Sequence, residues 1–274
     1  MTWEHRVTQL HLQLAKVNSD VICLQEVQKT HFEGDFLAYM RTLGYDGVVQ
    51  DSNHHVGVAT FFKISKFTME WSESRSRAML VGLTMQVQVD STDAVVSVPV
   101  MVGTVHLEGH PRHTVKRFTQ MKSLLKRCEA RMPAMTNPQE ALVFICGDFN
   151  DGVEAGAVRV LEDGELSPNF TENGVQTTPT HFSHPFRFTN AYPAALRHPT
   201  YPNTLGGGAI DHLFAQATLV DTVGVLSIRQ REMEEMVHTK VPNMTYPSDH
   251  LPVGAVFQLN HKTLDLLRRK AFTT

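Results

Sequence analysis

Apolar residues recur along this chain in two spacings that alternate from one segment to the next. Between residues 4 and 17, Val7, Leu10, Leu14 and Val17 fall on one stripe among polar neighbours, which predicts an amphipathic helix. Residues 20–27 (DVICLQEV) form an apolar run closing on a polar end, the pattern of a buried strand. Residues 31–43 read as helical, with Gly44 as the stop. Strands are predicted at Gly57–Phe62, Ser76–Val89 and Val95–Leu107, the last two joined by the turn-prone run Asp90-Ser91-Thr92-Asp93. Residues 111–130 place Val115, Phe118, Met121, Leu124 and Leu125 at helical spacing. A loop bracketed by Pro133 and Pro138 leads into the strand ALVFIC and a short helix over 152–161.

From Asp163 to Gly208 the chain is rich in Pro, Thr, Asn, Gly and His, and reads as an irregular region of functional loops. Late strands are expected at 209–214 and 254–259. The pattern points to one α/β (α+β) domain over 1–262, two packed sheets with helices on their outer faces, and a C-terminal tail over 263–274.

Composition narrows the classes. The 274 residues are 42% hydrophobic and 19% charged, as in ordinary globular chains. A formal net charge of −3 argues against bulk electrostatic capture of nucleic acid, which calls for a positive excess. No run approaches the ~18 apolar residues of a membrane span, and the first residues carry no signal-peptide core. Cys23 and Cys146 lie inside apolar runs and Cys128 stands apart, without the spacing of a zinc site. Reduced thiols and an intracellular location, cytoplasmic or nuclear, are expected.

The chemistry collects at strand ends. Gln25-Glu26 closes VICL; His106 and Glu108 follow MVGTV; Asp148, Asn150 and Asp151 follow LVFICG; Asp211-His212 sits in AIDHLF; Asp249-His250 precedes LPVGAVF. One Asp at a strand end is ordinarily a turn former or cap. Five such clusters are different, because converging carboxylates repel unless a cation offsets them, and oxygen ligands suit magnesium or manganese. Glu108 either faces the site with His106 or lies at the surface. Arg112, His113, Lys116 and Arg117 make a solvated basic face or a phosphate-steering edge. Phe188, Tyr192 and Pro193 are candidates for a base-stacking wall.

In order, the motifs LQEV (24–27), HLE (106–108), GDFN (147–150), ID (210–211) and SDH (248–250) resemble those of the endonuclease/exonuclease/phosphatase superfamily. GVATFFK, CGDFND, NAYP and YPSDHLPVGAVFQL narrow the resemblance to the CCR4-, nocturnin- and Angel-type phosphodiesterases. The resemblance implies a DNase-I-like four-layer α/β/β/α sandwich of two mixed sheets. It implies Glu26 as a metal ligand with Asp249 beside the metal, and Asp148 orienting or deprotonating the attacking water. Asn150 would hold a phosphate oxygen, and His106 would donate to the phosphate. His250, oriented by Asp211, would contact the phosphate or act in acid–base chemistry. Family members also carry an upstream strand bearing an Asn at the metal site. Met1–Arg6 already matches the helix that follows it, so a fold without that first strand, and an impaired site, are expected.

Three functions follow from the resemblance and the charge balance. The first is a magnesium-dependent (or manganese-dependent) exonuclease releasing nucleotides from RNA 3′ ends. The second is a phosphatase or phosphodiesterase of a nucleotide cofactor, phosphoinositide or phospholipid. The third is a binding protein that keeps the fold without catalysis.

Overall fold

The computed structural model describes residues 1–89, 95–132, 142–202 and 208–271. The turn expected over 90–93 and the loop bracketed by Pro133 and Pro138 lie outside the described residues. Helix α1 (Trp3–Val17) starts where the Thr2 hydroxyl accepts from the His5 N–H, and ends on Asn18 in the left-handed conformation. Strand β1 (Val21–Gln28) follows, then α2 (Lys29–His31), a π-helical turn (Phe32–Leu37) and α3 (Ala38–Thr42). Gly44, with φ +83°, makes the left-handed exit expected of a helix stop.

Strands β2 (Tyr45–Val49), β3 (Val56–Lys63), β4 (Phe67–Arg75), β5 (Ala78–Gln88) and β6 (Val95–His106) lead to α4 (Thr114–Arg131) and β7 (Leu142–Asp148). Helix α5 (Gly156–Asp163) comes next. The segment read as irregular contains five short strands, β8 (Glu165–Leu166), β9 (Thr171–Glu172), β10 (Val175–Gln176), β11 (Phe182–Ser183) and β12 (Phe188–Asn190). Runs this short leave no apolar period in the sequence, and tertiary pairing creates them. Strands β13 (Asp211–Gln216) and β14 (Val220–Val225), α6 (Gln230–Thr239), β15 (Ala255–Leu259) and α7 (His261–Ala271) complete the chain.

Six strands form one mixed sheet in the order β12-β13-β7-β6-β5-β4, with β6 and β7 parallel and the other pairs antiparallel. Against it lie the three-stranded sheet β1-β3-β2 and the two-stranded antiparallel sheet β14-β15. Three apolar clusters give the layers. Helices α4 and α5 cover the outer face of the large sheet through Phe118, Leu124, Val158 and Leu161. Val58, Val81, Val100, Val102 and Val220 fill the space between the sheets. Leu14, Phe32, Phe36 and Met40 cover the outer face of β1 and β3. The result is the α/β/β/α sandwich. Within the segment expected as a tail, Leu267 of α7 is 1% exposed and joins the inter-sheet cluster. Among the described residues, no helix is long and apolar enough to cross a membrane.

Candidate active site

Strand register assembles the centre of the site. In the parallel β6–β7 ladder His106 lies opposite Asp148, and in the antiparallel β13–β7 ladder Asp211 lies opposite the same Asp148. Three chemistry-bearing residues from distant parts of the chain thus stand side by side on three adjacent strand ends. Gly147 permits this approach. Its φ is +130°, and a Cβ there would fall 2.1 Å from the Val105 carbonyl oxygen. Any other residue would push β7 away from β6 just before Asp148.

The remaining groups arrive from the other sheet and from a loop. In β1 the pairing with β3 shifts register between Leu24 and Val27, and Glu26 inside that bulge adopts φ +57°. A left-handed Glu is costly by roughly 1 kcal/mol or more, and such backbone is kept where a side chain must be re-aimed. Here it brings Glu26 Oε1 to 3.9 Å from His106 Nε2, while leaving the carboxylate side chain 73% exposed. His250 lies in the loop before β15, and its Nδ1 is 2.9 Å from Asp211 Oδ2. That loop is held by α1, where Arg6 Nε donates to the Pro247 carbonyl at 2.8 Å and His5 bonds the Met244 carbonyl at 3.0 Å.

Asp148 is the hub. Its side chain is 8% exposed, and His106 Nε2 approaches Oδ2 to 3.6 Å. Asn150 donates its backbone N–H to Oδ1 at 2.7 Å and its amide Nδ2 to Oδ2 at 3.1 Å and to the Leu107 carbonyl at 3.0 Å. Asn150 is itself left-handed (φ +52°), a conformation its short side chain tolerates. Its amide nitrogen is therefore engaged inside the protein, and its Oδ1 is the atom left to meet a ligand.

The electrostatics follow from burial and crowding. Burial raises the Asp148 carboxyl to about 7, and the Asp211 charge beside it pushes the same way. Burial alone would lower His250, but the hydrogen bond and charge of Asp211, with Asp148 and Asp249 nearby, lift it to about 9. His106 is held below the usual histidine range by burial, only partly offset by Glu26. Near neutral pH the site thus offers an imidazolium at 250, a neutral imidazole at 106 and a carboxyl at 148 poised between its two forms.

Asp249 is half-buried and acts on His250 through its charge. Glu108 faces Arg77 (3.8 Å) and His113 (3.5 Å), on the rim beside His106. Arg112 and Lys116 are exposed and are not brought into the cluster; the Arg112 N–H bonds His110 at 3.2 Å, and Lys116 Nζ lies 3.4 Å from His113. Tyr192 is 5% exposed; its hydroxyl lies 2.9 and 3.0 Å from the Leu226 and Gly254 carbonyls, to one of which it donates, and accepts the Gly254 N–H at 2.9 Å. Phe188 is buried in the core under α5. His212 bonds the Asp151 carbonyl at 2.8 Å.

Arg117 corrects the sequence reading. It is not on a solvated face but 1% exposed, paired with Asp151 and 3.5 Å from Glu172. Its NH1 donates to the Glu108 and His110 carbonyls at 3.2 and 2.8 Å, so one guanidinium ties the loop after His106 to the loop after Asn150. The signal that could have found it is its place on the apolar stripe, four residues before Met121 and seven before Leu124, where exposed Lys116 does not fall. Two other residues escaped notice: Tyr201, whose ring lies 5.0 Å from His250, and Arg77, whose carbonyl accepts the His106 N–H at 3.0 Å.

The donor set fits a hard cation. Burial first, and then the Asp211 and Glu26 charges, raise Asp148 until it holds its proton near neutrality, a conflict that a divalent ion would relieve. Among the described residues, no three His, Cys, Asp or Glu side chains are grouped closely enough to hold a metal ion by themselves. A magnesium site completed by water and substrate phosphate needs only one or two carboxylates.

The model of the Endonuclease/Exonuclease/phosphatase family matches residues 1–250. The chain is 25% identical over 280 residues to 2',5'-phosphodiesterase 12 of Bos taurus, covering 90% of this chain and 45% of that protein. It is 25% identical over 321 residues to the CCR4-Not complex 3'-5'-exoribonuclease subunit Ccr4 of Schizosaccharomyces pombe, covering 97% of this chain and 46% of that protein. The chain spans about half the length of these curated relatives. Among solved structures, ANGEL2, a 2',3'-cyclic phosphatase in complex with adenosine-2',3'-vanadate, matches with a TM-score of 0.73 and 21% identity, over 94% of this chain and 87% of that one. The human nocturnin catalytic domain with bound sulfate matches with a TM-score of 0.66 and 17% identity, over 95% and 88%. These structural likenesses show the shared fold.

Proposed function

The chain belongs to the endonuclease/exonuclease/phosphatase family, and from that premise we propose that it is a metal-dependent phosphodiesterase acting as a 3'-5' exoribonuclease. The observation that carries the reading is Asp148. It is a buried carboxyl raised to about 7, gripped by Asn150 and flanked on neighbouring strands by His106 and the Asp211–His250 pair. A base works best when its pKa lies near the working pH.

Magnesium or manganese held by Glu26 and Asp249 would supply Lewis acidity at the phosphoryl oxygen and acidify bound water. Asp148, fixed in orientation by the two Asn150 hydrogen bonds, takes the proton of the attacking water. His250 is held cationic by Asp211 and donates a hydrogen bond to a phosphate oxygen as negative charge grows there. Neutral His106 donates from the opposite side, and Asn150 Oδ1 helps to place the attacking group.

The RNA assignment draws on the names of the relatives. Ccr4 of Schizosaccharomyces pombe is an exoribonuclease subunit, and 2',5'-phosphodiesterase 12 carries its bond type in its name. The net charge of −3 favours a second reading, a small phosphorylated molecule such as a nucleotide cofactor or a phosphoinositide, because such a substrate needs no extended basic track. Turnover of poly(A) RNA, single-stranded DNA, NADPH and phosphoinositides with and without magnesium separates the two. Asp148→Asn is expected to lower turnover of whichever substrate is cleaved by roughly 10²–10⁴-fold. Full turnover in that variant, or turnover without any divalent ion, would overturn the reading.

A further inference from the structure

Two of the three cysteines face each other across the sandwich. Cys23 of β1 packs against the cluster between the sheets, and its lateral partner in β3 is Thr60. Cys146 of β7 has Thr104 of β6 as its lateral partner. The two threonines meet across the gap, Oγ1 to Oγ1, at 2.7 Å. The Cys23 thiol lies within hydrogen-bonding reach of Cys146, Thr104 and Thr60. Four small side chains thus let the sheets approach, and Cα atoms of β1 and β7 come within 8 Å of each other. A disulfide needs Cα atoms about 4.4–6.8 Å apart, so closing the bridge draws β1 and β7 together at these two residues. Cys23 and Cys146 are half-buried residues with their thiols turned inward, whereas Cys128 lies on the fully buried face of α4 and its thiol is pushed up to about 12. Cys23 has a second thiol as a neighbour, and burial keeps the Cys128 thiol protonated and unreactive.

We propose that Cys23 and Cys146 form a redox-modification site, which closes to a disulfide under peroxide and stitches the two sheets together directly behind the active-site carboxylates. The Cys23 sulfur, as thiolate, attacks one oxygen of hydrogen peroxide; the O–O bond breaks, the departing hydroxide takes up a proton as water, and Cys23 becomes a sulfenic acid. The Cys146 sulfur then attacks the sulfenic sulfur, the S–O bond breaks, and the second water leaves with the Cys146 proton. Each thiol sulfur gives up one electron, and the peroxide is reduced to two waters. The hydrogen bond from Cys146 favours Cys23 as the attacking group, because it holds the Cys23 thiol below its ordinary range.

The bond would be felt at the site. Asp148 follows two residues after Cys146, and the β1 bulge that aims Glu26 opens at Leu24, next to Cys23. Drawing β1 toward β7 moves the base of that bulge. A displacement of about 1 Å at a reacting group is enough to cost on the order of 10²-fold in rate.

The test treats the purified reduced protein with hydrogen peroxide, caps free thiols, and maps peptides without reduction. The expected product is a Cys23–Cys146 linked peptide with Cys128 capped, and its formation should parallel a loss of turnover of roughly 10-fold or more that dithiothreitol reverses. Cys23→Ser and Cys146→Ser should each abolish the link and the reversible loss, while Cys128→Ser should respond as the unmodified chain does. Peroxide treatment that leaves both thiols free, or links Cys128, overturns the site. A linked protein with undiminished turnover overturns the coupling to the carboxylates. The activity arm rests on the proposed phosphodiesterase reading; the peptide map does not, so a chain without turnover in either state defeats that reading alone. The map on the unmodified chain also stands if a serine variant fails to fold.

Discussion

At the residue scale the site is a case of one acidic group governing another's partner. Asp211 has two neighbours of opposite demand: it pushes the Asp148 carboxyl up and stabilises the His250 imidazolium. Removing its charge should undo both. Asp211→Asn is expected to bring His250 down from about 9 toward the ordinary histidine range, and to lower Asp148 as well. Titration of the imidazole resonances by NMR measures the first shift directly. An unchanged His250 titration would mean that Asp148 and Asp249 carry the effect. The proposed phosphate-donor role of His250 should fade in the variant above the new, lower pKa.

At the scale of elements, the two loops that leave the central strands are joined through α4. The Arg117 guanidinium reaches the loop after β6 by carbonyl bonds and the loop after β7 through Asp151. Burial holds Asp151 at about 6 even with that guanidinium pulling it down. Arg117→Met would leave Asp151 and Glu172 without their counter-charge, and breaking a buried pair from one side costs about 3–5 kcal/mol. Denaturant unfolding should show a loss of that size, together with lower turnover because both loops carry site residues. A variant as stable as the parent would show that water already neutralises these carboxylates. Helical spacing puts Arg117 on the stripe that faces the core, but its charge reads as a surface residue because its partners come from 34 and 55 residues away in the chain.

At the scale of the whole molecule, the raised groups set a pH dependence with a definite sign. His250, ordinarily near 6.5, rises to about 9, so its stabilisation is complete below 6.5 and is lost as pH climbs through 9. Asp148, ordinarily near 3.8, rises to about 7, and its contribution likewise falls as pH rises from 3.8 through 7. Without metal, stability should therefore decline from mildly acidic to alkaline pH. Magnesium should reverse part of that decline, because it favours the ionised carboxylate. Thermal unfolding at pH 5.5 and 8 (both conditions chosen to bracket the Asp148 value) is expected to show a larger magnesium shift at the higher pH. Equal shifts at both would argue that the bound ion does not act on the Asp148 carboxyl.

The sequence by itself determined the secondary elements with strong apolar periods, the sandwich class, and the five polar strand ends. Those depend on local spacing, and spacing is written in the chain. Glu26, His106, Asp148, Asp211 and His250 were all legible as candidates for that reason. Tertiary structure alone decided how they meet. The β6–β7 and β13–β7 registers place His106 and Asp211 beside Asp148, and a bulge in the opposite sheet turns Glu26 toward them. Tertiary structure also buried Arg117, tied down the Tyr192 hydroxyl, and set Cys23 against Cys146. The physical reason is the same in each case. Burial, field and reach depend on residues distant in sequence, and a pattern of neighbours along one chain carries no record of the partner across the sheet.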